Sequence, residues 1–534
     1  MKRKAVAAVL TAVMVASMFT GCGSDKGSSS AKSTSAASAA NDTVDEDGKV
    51  NGIMYQEGLP LVDEGAYTFS IFCDDSSESG EFIMLDEFKK QTNVDVDLKI
   101  YPYETATERL NLDLNSGDYA DVIGGWTLSD NAILTYGVNQ GVFIPLEDYF
   151  EKYCPNISAI LDLPGVREKM TAPDGHIYTI PYVCADSTVG YSPYINTKWL
   201  ENVGMSMPTT TDEFEAVLKA FKEQDANGNG DASDEIPFST DPNNKHIEAM
   251  AGYFGLPMNK LGIAIQNEKV VYGGVSDTYR EFLSWFHKLY AEGLVDVELY
   301  TQDSSTWEGK GNQDLYGVSI AYGSGEFTGI PAAEERGDFD SMPVLNTDKD
   351  GIWLRDTEGF SVYRTQAVIT NKAEHPEIIC RWFDNAFALE NGIGCNRGPV
   401  GVIVNKEDDG YHAIDTTTLS EEDQEKYSWG NLWPQSLPKY LPADFEFVEE
   451  HPMYDEKKAT EEAYEANLTK EIIPSYWIDL DKIDTFSDTN TAIKDFFEQQ
   501  QAQFVCGELD IDNDADWQAY VDGMYSLGLE DWVA

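Results

Sequence analysis

Between residues 67 and 126 the chain alternates strand, helix, strand, helix, strand, and no other feature narrows its fold as far. Residues 68–73, Thr-Phe-Ser-Ile-Phe-Cys, form a run of strand length that ends in a polar loop at 74–80. Residues 81–92 place Phe82, Leu85 and Phe88 on one helical face, and 94–100 alternate as a strand. Residues 105–115 are again helical, and 121–125 make a short strand running into Trp126. Strands joined by crossover helices pair in parallel. Ligands of such sheets bind beyond the carboxyl ends of the strands, which here are 74–79 and 124–126.

Helical patterns dominate farther on, at 211–223, 276–293 and 376–389. A second strand, 316–322, leads into the turn Gly323-Ser-Gly-Glu-Phe327, and 360–370 reads as one long extended segment. Two α/β blocks are therefore expected, with the chain passing between them more than once. A length of 534 residues suits two or more domains, and 42% hydrophobic residues supply their cores.

The chain opens with Met1-Lys2-Arg3-Lys4, a short apolar run to Phe19, then Thr20-Gly21-Cys22. A basic start, a short apolar core and small residues at a boundary are the marks of a secretory signal. Phe19-Thr20-Gly21-Cys22 resembles the lipobox of bacterial lipoproteins, with Phe19 where leucine is usual. That resemblance implies acylation of Cys22 (palmitate among the acyl groups) and a mature chain anchored by lipid on the extracytoplasmic face of the cell membrane. Residues 22–51, rich in Ser, Ala, Thr and Asp, read as a flexible tether. Lys and Arg number 37 against 94 Asp and Glu, a net charge of −57. Phosphate backbones need clustered cations, so nucleic acid is excluded as a partner. No GxxxxGK[ST] is present, so the chain is no P-loop ATPase. The six cysteines after Cys22 have no CxxC pair and no zinc spacing, and their pairing is open.

Several stretches together are similar to the carbohydrate-binding extracellular solute-binding proteins, family 1, of ABC transporters. They are Leu85-Asp-Glu-Phe-Lys-Lys-Gln-Thr-Asn93 with the strand after it, Asn111-Leu-Asp-Leu-Asn-Ser-Gly-Asp-Tyr-Ala-Asp-Val122, and Asp174-Gly-His-Ile-Tyr-Thr-Ile-Pro-Tyr182. Glu374-His-Pro-Glu-Ile-Ile-Cys-Arg-Trp-Phe-Asp384 and Gly507-Glu-Leu-Asp-Ile-Asp512 follow in the expected order. The resemblance implies an α/β, two-lobed, type 2 periplasmic-binding-protein fold, with discontinuous lobes joined by hinge crossovers. The expected layout is signal 1–21, tether 22–51, lobe 1 from 65–188 plus 366–505, lobe 2 from 189–365, and a C-terminal helical segment 506–534. It further implies an oligosaccharide or modified sugar as ligand, ABC permease subunits as partners, and a monomer.

Asp225-Ala-Asn-Gly-Asn-Gly-Asp-Ala-Ser-Asp-Glu235 puts oxygen ligands at alternate positions and glycine at the sixth, as a calcium loop requires. Asp225, Asn227 and Asn229 hold positions one, three and five, and Gly230 permits the turn. Position twelve is Ile236 where an EF-hand has glutamate, so Asp234 and Glu235 would close the shell. The pattern is similar to the calcium loops of large solute-binding proteins, with one extra residue. Which of Asp231, Ser233 and Asp234 coordinates is left open. Hard oxygen ligands without His or Cys suit structural calcium; the alternative is an acidic Asn/Gly turn.

For the ligand, sugar C–H faces pack on aromatic planes and hydroxyls need polar partners. Trp126 stands at a strand end. Tyr182 and Tyr191 flank the first crossover, Tyr322 precedes the equivalent loop of the second block, and Phe360 starts the return. Arg397 lies in Cys395-Asn-Arg-Gly398, Trp429 and Trp433 in a polar loop, and Asp74 and Asp75 end the first strand. All ten are candidate contacts. Two other readings compete. An extracellular glycan-processing enzyme needs two opposed carboxylates, and no GxSxG or HExxH supports one. A sensory or adhesive glycan-binding protein differs only in partners.

Overall fold

The computed structural model describes residues 42–75, 81–241, 247–266, 269–329, 337–442, 445, 447–448, 452–473 and 475–533. The leader 1–21, Cys22 and residues 23–41 of the tether lie outside the described residues. Among those described, no helix is long and apolar enough to cross a membrane.

The first lobe is built on a four-stranded sheet. Tyr67–Asp74 is flanked in parallel by Val94–Tyr101 and Val122–Gly124, and Ala367–Ile369 adds antiparallel to Val122–Gly124. The central strand is buried on both faces because alternate side chains serve two cores. Tyr67, Phe69, Ile71 and Cys73 join Phe88, Trp382 and Trp433 on one side. Phe72 joins Ala106, Leu110 and Leu114 of the helix Tyr103–Ser116 on the other. Aromatic packing fixes the first of these: Trp382 lies 5.3 Å from Phe69, 5.6 Å from Phe88 and 5.7 Å from Trp433.

The second lobe carries its own sheet, in the order Phe339–Ser341, Ser192–Asn196, Tyr316–Ala321, Ile236–Thr240. Only Tyr316–Ala321 and Ile236–Thr240 run parallel. Thr211–Glu223 buries Phe214, Val217, Leu218 and Phe221, and Asp277–Ala291 buries Tyr279, Phe282, Leu283, Phe286 and Leu289. Both stripes follow helical spacing, and both helices are N-capped, by Thr210 and Ser276.

Three expected boundaries move. The tether reads to 51, but Val50 and Met54 are buried in the first core and Tyr153 donates to Asp42 at 2.8 Å, so the described residues from Asp42 on already belong to the first lobe. The helix Ile483–Cys506, expected in lobe 1, packs instead on Asp277–Ala291, with Phe497 5.6 Å from Tyr279. Its Ile493, Phe497, Phe504 and Val505 share the second core with Trp517, Tyr520 and Trp532 of the C-terminal helices. The segment 360–370, expected as one long extended stretch, carries two strands, Phe360–Tyr363 and Ala367–Ile369, in different sheets. Arg364 breaks it by turning inward to a bidentate pair with Asp130, at 2.8 and 2.6 Å, beneath Trp477.

The chain passes between the lobes at Tyr182–Ala185 and returns at Phe360–Tyr363, and these strands pair antiparallel. A third passage lies beside them, since Val183 also bridges Tyr440. From there the chain reaches the helix Pro452–Tyr464, whose Tyr464 packs 5.5 Å from Trp353 in the second core.

Candidate ligand-binding cleft

The turn after Val122–Gly124 sets the first wall. Gly125 has φ +132, and a Cβ there would fall 2.3 Å from Asp74 Oδ1. The space belongs to the Asp74 carboxylate, which accepts from the amides of Trp126 at 3.0 Å and Thr127 at 2.6 Å. Trp126 is thereby held out into solvent, 46% exposed. Its ring meets Tyr363 edge-on at 5.3 Å and Tyr182 at 6.5 Å. Tyr182 and Tyr363 are cross-strand partners in the hinge, with rings 5.4 Å apart.

Tyr322 follows the strand Tyr316–Ala321 and sets the facing wall. Its amide donates to Glu326 at 3.0 Å, and Lys457 Nζ stands 3.9 Å from its ring centre. Lys457 also donates to the carbonyls of Gly190 at 2.5 Å and Tyr322 at 2.7 Å. Burial pushes its ammonium down to about 8, against the neighbouring Glu326, Glu461, Asp356 and Asp186. Tyr191 packs edge-on at 6.2 Å from Tyr322.

One carboxylate links the walls. Asp186, just past the first crossover strand, accepts from Ser361 Oγ at 2.5 Å, Tyr363 OH at 3.1 Å, Tyr322 OH at 3.2 Å and the Ser187 amide at 2.8 Å. A third group sits beside the hinge in the first lobe. Lys439 donates to Gln435 Oε1 at 2.6 Å and lies 5.3 Å from the ring of Trp429, which is 50% exposed. Burial pushes Lys439 down to about 8.

Of the ten candidate contacts, Trp126, Tyr182, Tyr191 and Tyr322 come together around Asp186, and Trp429 is exposed over Lys439. Four are corrected. Trp433 is fully buried against Trp382 and belongs to the core. Asp74 and Asp75 are buried too: Asp74 carries the Trp126 turn, and Asp75 accepts from the Gln435 amide at 2.8 Å. Phe360 points the wrong way. Strand alternation sends Phe360 and Val362 onto the first core and Ser361 and Tyr363 toward Asp186. Arg397 is half-buried, 5.8 Å from the Phe447 ring and donating to the Asn396 carbonyl at 3.3 Å. Sequence reasoning missed Tyr363, Asp186, Lys439 and Lys457. Tyr363 was recoverable from the period of two along its strand, whereas Lys457 sits in a charged helix with nothing local to mark it.

The loop 225–235 joins the helix Thr211–Glu223 to the strand Ile236–Thr240. Gly228 and Gly230 both have positive φ, at +75 and +96, as the tight turn requires. Glu235 Oε1 accepts from the Ala226 amide, Asp225 Oδ2 from Gly230, and Asp234 from the side-chain amides of Asn227 and Asn229. Asp231 caps Ser233. Asp225 Oδ1 and Glu235 Oε2 are buried without a hydrogen-bond partner, and burial raises the Glu235 carboxyl, with Asp234 adding to it. Two orphaned carboxylate oxygens at the two ends of an oxygen-rich loop fit a hard divalent cation. A second acidic cluster, Glu407, Asp409 and His412, lies on a first-lobe hairpin. The six cysteines among the described residues are free thiols.

Residues 76–392 match the family described as bacterial extracellular solute-binding protein. The fructooligosaccharide ABC transporter substrate-binding protein FusA of Streptococcus pneumoniae is 32% identical over 379 residues, 68% of each chain. Lipoprotein LipO of Bacillus subtilis is 28% identical over 280 residues, 51% of this chain and 52% of that one. The solved structure of FusA in complex with kestose superposes with a TM-score of 0.77 at 26% identity, over 87% of this chain and 97% of that one. A FusA EF-hand mutant in complex with fructo-nystose gives 0.74 at 27%, over the same shares.

Proposed function

We propose that this chain, which belongs to the bacterial extracellular solute-binding protein family, captures an oligosaccharide between its lobes and delivers it to the permease of an ABC importer. The observation that carries this reading is the juxtaposition of Trp126, Tyr182 and Tyr363 with Tyr322 and Tyr191 about the carboxylate of Asp186. Those rings offer flat apolar faces to sugar C–H groups, Asp186 orients the Tyr322 and Tyr363 rings, and Glu326 and the tyrosine hydroxyl oxygens lie at the edges for the sugar hydroxyls. Each wall stands beyond the carboxyl ends of a lobe's parallel strands, where this class of fold binds ligands. FusA, which is named for its fructooligosaccharide substrate and solved with kestose, lends the same reading.

The paired strands Tyr182–Ala185 and Phe360–Tyr363 serve as the hinge. A ligand touching both walls favours the closed arrangement by its differential affinity for closed over open, and the permease reads the closed form. Calcium belongs to the loop 225–235. Asp225 and Glu235 would supply their free oxygens, with Asp234, Asn227, Asn229 and Asp231 completing the shell, and the ion would neutralise buried charge and pin a helix to a strand. The EF-hand named in the FusA mutant supports that assignment. Cys22 is the acylation site, placing a monomeric binding protein on the outer face of the membrane; the lipoprotein relative supports it.

A thermal-shift panel on residues 23–534 tests the reading. An oligosaccharide at 100 times its dissociation constant adds about 2.7 kcal/mol to stability and is expected back chemically unchanged. A sugar that is cleaved, or a panel without any shift, contradicts it.

A further inference from the structure

Two antiparallel strands carry the second-lobe wall past the end of their sheet. Ser192–Asn196 and Tyr316–Ala321 pair in register as far as Ser192 opposite Ala321. Tyr191 and Tyr322 are therefore the first residues beyond the last rung, one on each chain, where the ladder no longer sets the distance between facing side chains. A single side chain ties the two chains beyond that point. Lys457 Nζ donates to the Gly190 carbonyl at 2.5 Å and to the Tyr322 carbonyl at 2.7 Å, and lies 3.9 Å from the centre of the Tyr322 ring. Carboxylates hold the matching amides: Gly190 donates to Asp356 at 2.6 Å and Tyr322 to Glu326 at 3.0 Å. Glycine at 190 admits this approach, since a Cβ there would fall 2.4 Å from Asp356 Oδ2.

Lys457 comes from the helix Pro452–Tyr464, and its neighbours on the same helical face serve the same two chains. Glu456 accepts from the Ser324 amide at 2.8 Å and hydroxyl at 2.6 Å, Thr460 meets the Tyr194 hydroxyl at 3.3 Å, and Glu461 accepts from the Thr188 amide at 2.9 Å. Among these contacts Lys457 alone reaches both chains. Glu326, Glu461, Asp356 and Asp186 all act on its ammonium electrostatically. A charged donor binds carbonyls about twice as strongly as a neutral one, and only the charged form is drawn to the face of the Tyr322 ring.

Resting on the oligosaccharide reading above, we propose that Lys457 is a positioning residue for the sugar: its ammonium fixes the spacing of Tyr191 and Tyr322 where the sheet no longer does, and acts on the ligand through those two rings.

Titration calorimetry of residues 23–534 at pH 7 and pH 9, with the neutral saccharides of the thermal-shift panel (kestose and nystose included), tests this; a neutral saccharide has no group that titrates between those values. Burial pushes Lys457 down to about 8, so its ammonium is mostly charged at pH 7 and mostly neutral at pH 9. Wild type is expected to bind about fivefold or more weakly at pH 9, because the sugar must then order both rings itself. Lys457→Met is expected to show a similar loss at pH 7 and no further fall at pH 9. Lys457→Gln, also uncharged, takes its place if the methionine variant does not fold. Lys439, which burial also pushes down to about 8, is intact in these variants, so a fall that persists in them belongs to another group. Such a persistent fall, a wild-type affinity level across both pH values, or a variant within twofold of wild type at pH 7 would overturn the positioning role and leave the oligosaccharide reading standing. A wild type that binds no saccharide of the panel at either pH would overturn both.

Discussion

Replacing Asp186 by alanine removes one acceptor that orders three hydroxyls on two chain segments and both walls. Hydrogen bonds to charged groups are worth about 1.5–3 kcal/mol each, but these donors border solvent and can turn to water, so the net loss in stability is about 2–4 kcal/mol. Affinity falls by a separate route. Tyr322 and Tyr363 lose the tether that orients them at 3.2 and 3.1 Å. A ligand must then order both rings itself, at about 0.5–1.5 kcal/mol per side chain, which is about 5- to 150-fold in dissociation constant. Asp186→Asn keeps one acceptor oxygen and should fall between wild type and Asp186→Ala. Titration calorimetry with the best saccharide gives the affinity, and thermal melting gives the stability. If Asp186→Ala binds within twofold of wild type, the rings are not positioned by this carboxylate and the reasoning fails.

Chelation should lower the melting temperature of the wild type and leave an Asp225→Asn, Glu235→Gln double variant unmoved; loss of an ion at 100 times its dissociation constant removes about 2.7 kcal/mol. Gly125→Ala places a methyl 2.3 Å from Asp74 Oδ1 at φ +132, so differential scanning calorimetry should show a loss of about 1–3 kcal/mol, with weakened saccharide binding as Trp126 shifts. Burial pushes Lys439 down to about 8 from its ordinary 10.5, so the unfolded chain binds more protons between those values and stability rises with pH there. Urea unfolding at pH 7 and 9 should therefore favour wild type over Lys439→Met by about 1 kcal/mol more at the higher pH; an equal difference at both would deny the buried ammonium.

Local periodicity made the first sheet legible: the strand at 68–73 and the helix at 81–92 emerge as Tyr67–Asp74 and Ile83–Thr92 because their patterns are set by neighbours in sequence. Whatever depended on a distant partner was not legible. The stripe of Ile493, Phe497 and Phe504 announces burial but not the lobe that buries it. The break at Arg364 needs Asp130, more than two hundred residues away. Trp433 and Trp429 look alike in a polar loop, yet one stacks on Trp382 while the other is exposed. Phe360 was one register step from the useful face, and a single-residue slip inverts a strand. The loop at 225–235 is contiguous, so its donor spacing could be read directly; its two orphaned oxygens could not.

Titration calorimetry of wild type, Trp126→Ala and Tyr322→Ala with the best saccharide of the panel, each followed by chromatography of the recovered ligand, decides whether these rings hold a sugar that is bound and released intact. One site is expected on the wild type, with a loss of about tenfold or more in each variant, because an aromatic anchor covered by its ligand dominates such contacts, and with intact sugar throughout. Unchanged affinity in both variants, or a cleaved sugar, would contradict it.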